Sequence, residues 1–462
     1  MKTWQDFEQA TDKIDFIRQA LGEYMGSKEY KIALDADQYD RQQNTTIRQY
    51  IKYVYMQTGA RVEDITASNN RIASNFFHRL NTQRCAYSLG NGVSFQTTKE
   101  VRDEDGDEYT VDLTKERLGS KFDTVLYNAG YDALIHGVSY IFWNYDQAYE
   151  FKMTEFCPLL DEYTGALRGG MRFWSLDWNK KPVTVVLYTE DGYTKYRTKK
   201  DASGLELEEY EPQKPYKQQV QQSAIEAETV VGESNYSSLP IVPLYGSKHK
   251  QSTLIGLKEC IDAYDLIQSG FANDLEDCAE IYWLIADADG MKPRDIQRFR
   301  EEVKFHHVAI SDSENPVTPY TQEIPTTARE AFLQSIRAQM YEDFGALDVH
   351  TVAAGATNDH IDAAYQPLDE NADDFEYQII ECVQQILALI GIEDTPQFKR
   401  NRISNQKEQV EMLAMVADKL DEETFLNKLP FISVDEVKKI LKAKDAESDA
   451  RFDTEEEEQP EV

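Results

Sequence analysis

A single stripe of apolar side chains constrains the fold of this 462-residue chain more than any other feature. No proline interrupts residues 254–285, and successive apolar residues there are three or four positions apart, which is the period of one helix face. A helix over these residues would be about 48 Å long, whereas globular helices average about 11–12 residues. The sequence therefore predicts one long helix over 252–285. The stripe comprises Leu257, Ile261, Tyr264, Ile267, Phe271, Leu275, Cys278, Tyr282 and Ile285.

The opposite face of this predicted helix is acidic. Residues 252–290 contain nine acidic side chains against one basic side chain, Lys258. One interpretation is an ordinary solvated face, and the other is a wall that repels a polyanion. The candidate wall residues are Asp262, Asp265, Asp274, Glu276, Asp277 and Glu280.

The whole chain is acidic too, with 49 Lys and Arg against 83 Asp and Glu, a formal charge of −34. This excludes a simple basic nucleic-acid binder, which needs a cationic surplus to neutralise phosphates, and it disfavours docking on anionic lipid. No apolar run reaches the about 18 residues of a membrane span, and the first 20 residues contain no apolar secretory core. Five dispersed cysteines without a CxxC pair predict reduced thiols in a cytosolic compartment.

The pattern over residues 1–251 predicts an α+β body. Helical spacing dominates up to residue 90, including a predicted helix over 69–87 with Ile72, Phe76 and Leu80 on one face. A helix is expected from about 120 to 135. Segments rich in aromatic and β-branched residues then predict an antiparallel sheet. The predicted strands are 138–143, 150–156, 171–176 and 183–188.

Residues 291–327 are predicted to form a small compact block, and a second long helix over 328–345 follows. Thr327 and Glu330 form a capping box at its start. The compact block carries a basic cluster with two open interpretations: a DNA contact, or a charged surface for acidic partners. The cluster comprises Lys292, Arg294, Arg298, Arg300 and Lys304.

The remainder is predicted to be a loop, helices and a tail. Residues 346–358 are small and polar, which indicates a mobile loop. A helix from about 373 to 390 ends at Gly391, residues 396–444 are helical, and residues 445–462, with nine acids and one base, are predicted to be a disordered tail.

The motifs of common catalytic sites are missing from the sequence. No Gly-Lys dipeptide exists, so a Walker A loop is excluded, and there is no HExxH or GxSxG motif. We therefore expect no enzyme, no cofactor and no metal. The abundant carboxylates leave a metal-dependent hydrolase open as one alternative, and an acidic interaction scaffold built on a helical hairpin is a second alternative.

The order of elements, and several segments of sequence, resemble the portal proteins of long-tailed, siphovirus-type double-stranded DNA phages. The resemblance extends over about residues 30–445. The segments that carry it are 69–76 with 87–90, 136–140, 239–245, 261–265, Ser269 with 273–277, 398–405 with Glu408, 423–426 and 429–432.

This resemblance implies a ring, usually of twelve subunits, at a capsid vertex, through which double-stranded DNA is packaged and ejected. Its expected partners are terminase, head-completion or adaptor proteins, and the major capsid and scaffold proteins, without a membrane. The protein would be in the virion, and in the host cytoplasm during assembly. The implied regions are the wing (1–251), stem helix (252–285), clip (286–327), second stem helix (328–345), tunnel loop (346–361), wing return helix (362–395), crown (396–444) and acidic tail (445–462).

The resemblance also implies that the tunnel loop faces DNA. A loop that binds DNA phosphates tightly would carry basic residues, but residues 346–361 of this chain include no Lys or Arg. Contact with phosphate would have to come from backbone, Asn, Thr or His groups. The candidate loop residues are Asp348, His350, Thr351, Thr357, Asn358, Asp359 and His360.

Overall fold

The computed structural model describes several separate ranges of the chain. The described residues are 1–55, 59–64, 68–102, 108–177, 180–199, 206–221, 229–277, 282–284, 294, 318–320, 326–351, 357–402, 410, 413–415, 422–428, 437 and 440.

The N-terminal residues form short helices that begin at well-suited capping residues. Thr3, Asp12 and Ser27 precede the first three, and each side chain accepts a hydrogen bond from a backbone N–H of the first turn. The helices are α1 (Trp4–Gln9), α2 (Lys13–Gly26), α3 (Lys28–Asp40) and α4 (Thr45–Arg48).

Hairpins and three further helices come next along the chain. The two longer helices, α5 and α7, pack against each other. The elements are β1 (Tyr53–Tyr55), β2 (Arg61–Glu63), α5 (Phe76–Leu89), β3 (Val93–Ser94), β4 (Thr98–Arg102), β5 (Glu108–Asp112), α6 (Leu113–Leu118) and α7 (Phe122–His136).

The middle of the chain forms antiparallel sheets. A five-stranded sheet has the order β12-β11-β10-β9-β8, a three-stranded sheet has the order β15-β6-β7, and β13 pairs with β14. The strands are β6 (Val138–Asn144), β7 (Gln147–Lys152), β8 (Phe156–Leu160), β9 (Leu167–Asp177), β10 (Lys180–Thr189), β11 (Gly192–Thr198), β12 (Leu207–Lys214), β13 (Lys217–Gln221), β14 (Thr229–Ser234) and β15 (Ile241–Tyr245).

Helix α7 lies at the centre of the largest apolar core. It packs against β6, β7 and β15, and Ala133, Tyr140 and Phe375 are buried together there. A second core joins α2 to the five-stranded sheet through residues such as Ile17 and Val185. The predicted helix near 120–135 and the predicted strands 138–143, 171–176 and 183–188 are therefore confirmed in type and approximate position. The predicted strand 150–156 was wrong after its first residues, because β7 ends at Lys152, residues Met153–Glu155 form a 3₁₀ turn, and Phe156 begins β8.

The long helix predicted over 252–285 is shorter in the structure. Helix α8 spans Lys258–Asp277, while Tyr282–Leu284 forms strand β16, which pairs with β17 (Thr318–Tyr320). The prediction was wrong for 282–284, because Tyr and Trp favour an extended backbone and a short apolar run does not distinguish helix from strand. The returning helix predicted over 328–345 is confirmed as α9 (Thr326–Phe344), which packs against α8. The predicted capping box was wrong, because Thr327 already lies within the helix and is not its N-cap.

The C-terminal part contains a longer helix than predicted. Helix α10 spans Asn358–Ile390, passes through Pro367 and ends at Gly391. The prediction of a helix only from about 373 was therefore wrong at its start. After α10, β18 (Gln397–Phe398) pairs with β3, and α11 spans Glu422–Asn427. The tail 445–462, with its predicted disorder, lies outside the described residues.

Helices and antiparallel sheets together confirm the α+β class. Among the described helices, none is both long and apolar enough to cross a membrane. The boundaries of wing, stem, clip and crown stay predictions.

Candidate functional site

The acidic face of α8 is attached to the N-terminal body by a ladder of hydrogen bonds. Three alternate residues of the extended segment 70–74 donate backbone N–H groups to side chains of α8. Asn70 donates to Asn273 Oδ1 over 2.6 Å, Ile72 to Ser269 Oγ over 2.9 Å, and Ser74 to Asp265 Oδ1 over 2.9 Å. The segment and the helix run antiparallel. We call this set of contacts the strap ladder.

The spacing of the two elements explains why the ladder fits. Two residues of extended chain advance about 6.6 Å, and four residues of an α-helix advance about 6.0 Å. Acceptors at every fourth helical position therefore stay in step with donors at every second extended position. The backbone N–H groups of the segment find partners without belonging to any sheet, as buried backbone donors require.

Asp265 lies at the buried end of the ladder and is 0% exposed. Its carboxylate also accepts a hydrogen bond from Asn44 Nδ2. Burial raises the pKa of the Asp265 carboxyl, and the bonds from Asn44 and Ser74 offset this only in part. A carboxylate with no exposed surface does not face a channel, so the channel-lining prediction does not apply to Asp265.

Asp262, one turn earlier, is also held by the N-terminal body. It accepts hydrogen bonds from the hydroxyls of Tyr39 and Thr46, the latter over 2.7 Å. Lys258 Nζ lies 3.6 Å from its Oδ2 and 3.0 Å from Asp35 Oδ2. The carboxylate thus belongs to a polar junction between α3, α4 and α8.

The acidic residues farther along α8 also have intramolecular partners. Asp274 forms an ion pair with Arg329 of α9. Glu276, which is exposed, accepts a hydrogen bond from Asn70 Nδ2 over 2.8 Å. The side chain of Asp277 and the whole of Glu280 lie outside the described residues. Asp262, Asp265 and Glu276 therefore lie on one side of α8. The N-terminal body covers Asp262 and Asp265, whereas Glu276, at the far end, stays exposed.

The first residues of the predicted tunnel loop are fixed to α5. Gln83 both donates to the Leu347 carbonyl and accepts from its N–H, each over 3.0 Å. Arg84 donates to the Phe344 carbonyl over 2.6 Å, and its guanidinium carbon Cζ lies 4.1 Å from the centre of the Phe344 ring. Gly345, between them, has φ +62°, which terminates α9 in a left-handed conformation.

The candidate loop residues occupy three different settings. Asp348 accepts from Arg337 Nη2 over 2.8 Å, so its charge is paired within the chain. His350 is exposed and lies with Thr351 in a 3₁₀ turn. Thr357 is the N-cap position of α10, and its hydroxyl lies 3.0 Å from His360 Nδ1.

Asn358, Asp359 and His360 stand in the first turn of α10, so a loop reaching 361 is incorrect for these three residues. Residues 352–356 lie outside the described residues. Of the basic clip cluster, Arg294 is described and exposed. Lys292, Arg298, Arg300 and Lys304 fall outside the described part of the chain.

Metal-binding side chains and cysteine thiols are two further groups to locate in the structure. Within the described residues, no group of three or more His, Cys, Asp or Glu side chains is arranged to hold a metal ion. Cys85, Cys157 and Cys382 are free and buried, and burial raises the pKa of each thiol, which disfavours the reactive thiolate.

Sequence reasoning missed the strap ladder because it assigned residues 69–75 to a helix. Polar side chains at 265, 269 and 273, spaced by four, were the available signal. These side chains contact the segment 70–74, which is about 200 residues away in the chain. Local periodicity does not reveal such a distant contact.

Residues 30–450 match the sequence model of a family described as "Phage portal protein, SPP1 Gp6-like". The chain is 25% identical over 228 residues to a portal protein of Clostridium phage phiCD119, covering 46% of this chain and 50% of that protein. It is 26% identical over 215 residues to a portal protein of Bacillus phage SPP1, covering 43% of this chain and 42% of that protein. The chain thus spans about half the length of the curated relatives it matches.

The chain also aligns with a solved structure described as the neck of a native GTA particle computed with C12 symmetry. The alignment covers 77% of this chain and 90% of that one at 11% identity, with a TM-score of 0.38. This score is too low to assign a shared fold.

Proposed function

The chain belongs to the SPP1 Gp6-like family of phage portal proteins, and on that premise we propose that it forms the ring-shaped channel of a capsid vertex. Double-stranded DNA would enter the capsid through this ring during packaging and leave through it during ejection. The observation that carries the proposal is the family match over 30–450, which includes nearly the whole body, both long helices and the C-terminal part.

We propose a ring of about twelve subunits, the number that the resemblance to phage portal proteins implies, and closed cyclic symmetry would give this ring its central hole. The channel wall would be acidic, so that DNA stays centred and is held loosely. DNA carries one charge per about 1.7 Å of its axis, and tight neutralisation of these phosphates would stall sliding. The net charge of −34 per chain favours the passage of DNA over tight binding of its phosphates.

We propose that fewer acidic residues face the channel than the sequence suggested. Asp262 and Asp265 hold α8 on the body, and Asp274 is neutralised by Arg329. Glu276, Asp277 and Glu280 are the remaining candidates for facing DNA. They lie at and beyond the far end of α8, toward the proposed clip.

The other regional assignments follow from family membership and stay proposals. The clip, with the basic cluster around Arg294, would meet terminase and later the head-completion proteins. His350 and Thr357 would stand at the two ends of a loop near DNA. The location would be the virion, after assembly in the host cytoplasm.

A DNA-packaging reaction with purified procapsids tests this function. Procapsids assembled with the chain should package double-stranded DNA, and those without it should not. In a second arm, Glu276→Lys with Asp277→Lys should slow packaging or trap DNA, whereas Glu209→Lys on the edge strand β12 is the control. Packaging that needs no copy of the chain contradicts the function, while unchanged rates in the double variant contradict only the acidic wall.

A further inference from the structure

One face of α10 carries a stripe of acidic residues that two arginines cover. The acids are spaced by three, four or seven positions, so they project from the same side of the helix. Left uncovered, carboxylates this close along a helix would repel each other. The stripe comprises Asp362, Asp369, Asp373 and Glu376, and the arginines are Arg400 and Arg402.

Arg402 reaches two acids that lie almost two turns apart. Its Nη1 is 3.2 Å from Asp362 Oδ1, and its Nη2 donates to Asp369 Oδ2. The planar guanidinium has several donors in a fixed arrangement, which lets one side chain bridge two carboxylates. Its Nε donates to the Tyr87 hydroxyl over 2.8 Å, so α5 is joined to the same group.

Arg400 holds the second half of the stripe. Its Nε and Nη2 donate to the two oxygens of Glu376 over 3.0 and 2.8 Å, which is a bidentate pair. Its Nη1 donates to Asp369 Oδ1 over 3.0 Å, and Nη2 also donates to Asp373. Burial would raise the pKa of the Asp369 carboxyl, but hydrogen bonds from Arg402 and Tyr87 lower it overall. Asp369 is therefore charged at neutral pH.

Pro367 lies between the two acids that Arg402 joins. Proline has no N–H, so the helical hydrogen bond to the carbonyl of residue 363 is missing, and the ring crowds the preceding turn. Asn371 Nδ2 donates to the Pro367 carbonyl over 3.0 Å from within the same helix. Arg402 acts from outside the helix and bonds to it on both sides of the proline.

We propose that Arg402 is a splint across Pro367, which keeps the first ten residues of α10 aligned with the rest of the helix. Arg400 anchors the splint on the following turns. The backbone is fixed as well, since the Asn401 N–H donates to the Tyr87 carbonyl over 3.2 Å and Phe398 pairs with Val93. Arg402 is a positioning residue that acts through α10.

The first turns of α10 need such support because they pack in a small separate cluster. Ile361 and Tyr365 are buried there with Tyr87 and Leu347, apart from the main cores. Tyr87 and Tyr365 are stacked with ring centres 5.7 Å apart, and Arg402 lies over the Tyr365 ring. Leu347 precedes the segment 348–357 and Ile361 follows it, so the splint holds both ends of that segment together. That this segment faces DNA rests on the proposed function, whereas the splint depends only on these contacts.

Hydrogen exchange followed by mass spectrometry on the full chain tests the splint. Arg402→Gln should speed amide exchange at 361–366 by about tenfold or more, with amides of α7 unchanged. Arg402→Lys retains the charge but lacks the planar guanidinium with its several donors, so it should speed amide exchange at 361–366 by a smaller factor. Arg168→Gln, which removes a surface ion pair with Glu190, is the matched control and should leave these amides unchanged.

The decisive arm repeats Arg402→Gln with Pro367→Ala, which restores the helical N–H. If the arginine compensates for the proline, the increase in exchange should fall to about threefold or less in this background. An equal increase with Pro367 and with Ala at that position would overturn the proposal. Equal acceleration throughout α7 and α10 would overturn it too, because Arg402 would then serve general stability. Packaging activity does not enter either readout, so failure here leaves the proposed function standing.

Discussion

The backbone N–H of Ile72 donates to Ser269 Oγ over 2.9 Å, and this bond is the middle rung of the strap ladder. It connects residues 197 positions apart in the chain. Asn70 with Asn273 and Ser74 with Asp265 form the neighbouring rungs. The rungs follow the repeat of both elements. They therefore fix the rotation of α8 about its own axis and its position along the segment 70–74 of the N-terminal body. In a portal ring, the direction of this helix relative to the channel would follow from them.

Replacing Asp265 tests the buried end of the ladder. Asp265→Ala leaves the Ser74 N–H and Asn44 Nδ2 without this acceptor, and we expect a loss of about 2–4 kcal/mol in the free energy of unfolding. Denaturant unfolding followed by circular dichroism measures the change.

Glu259→Ala is the matched control for this substitution, since Glu259 is an exposed acid on the same helix. We expect a change within about 0.5 kcal/mol there. Equal losses in the two variants would mean that the ladder contributes nothing specific.

Gly137→Ala should destabilise the junction between α7 and β6. Gly137 ends α7 with φ +96°, and an added Cβ would lie 2.7 Å from the backbone carbonyl carbon of Gln251. We expect a cost of about 2–4 kcal/mol from backbone strain and the clash. Thermal unfolding of the variant measures it.

The control for Gly137 is Gly22→Ala in helix α2, where an added Cβ meets nothing within 4 Å. That change should be neutral or stabilise by up to about 1 kcal/mol, because alanine favours the helix. A Gly137→Ala protein as stable as wild type would show that the close approach of 137 and 251 is not required.

Glu150 should make stability depend on pH near neutrality. Burial, and then the nearby Asp132, raise the pKa of the Glu150 carboxyl to about 7 from an ordinary value of 4.5. The folded chain thus holds a proton that the unfolded chain releases, and stability falls as pH rises from about 4.5 to about 7. Glu150→Gln removes this loss, so it should stabilise the protein more at pH 8 than at pH 4.5.

Melting temperatures across this pH range measure the effect of Glu150→Gln. Glu209→Gln, at an exposed acid of β12, should shift the curve equally at every pH. If both variants show the same pH profile, the raised pKa of Glu150 is not responsible.

The sequence predicted the elements whose signals are local and missed those that depend on distant partners. Helix α7, strands β6, β9 and β10, and helix α9 follow from periodicity and turn residues. Residues 69–75 were taken for a helix because Ile72, Phe76 and Leu80 share its spacing, yet Ile72 is 37% exposed. Its backbone bonds to a side chain of α8 instead.

The extent of α10 was missed for a related reason. The helix was expected only from about 373. A proline usually ends or kinks a helix, whereas α10 continues through Pro367 with Arg402 bonded on both sides. Among the candidate acids of α8, Asp262, Asp265 and Glu276 lie on one side of the helix, whereas Asp274 pairs with Arg329 of α9. Whether such a carboxylate faces solvent or a side chain of the N-terminal body depends on tertiary packing. The segments that carry the resemblance nevertheless include residues from both halves of the strap ladder, namely 69–76 and Ser269 with 273–277.

The central claim is that this chain is the subunit of a portal ring, and native mass measurement of the purified full chain tests it most directly. Twelve copies of a 53.2 kDa chain have a mass of about 640 kDa, and we predict one homogeneous species of about that size, with a central hole in electron micrographs. A stable monomer of 53.2 kDa under conditions that favour assembly, with no closed ring at any concentration, would contradict the account.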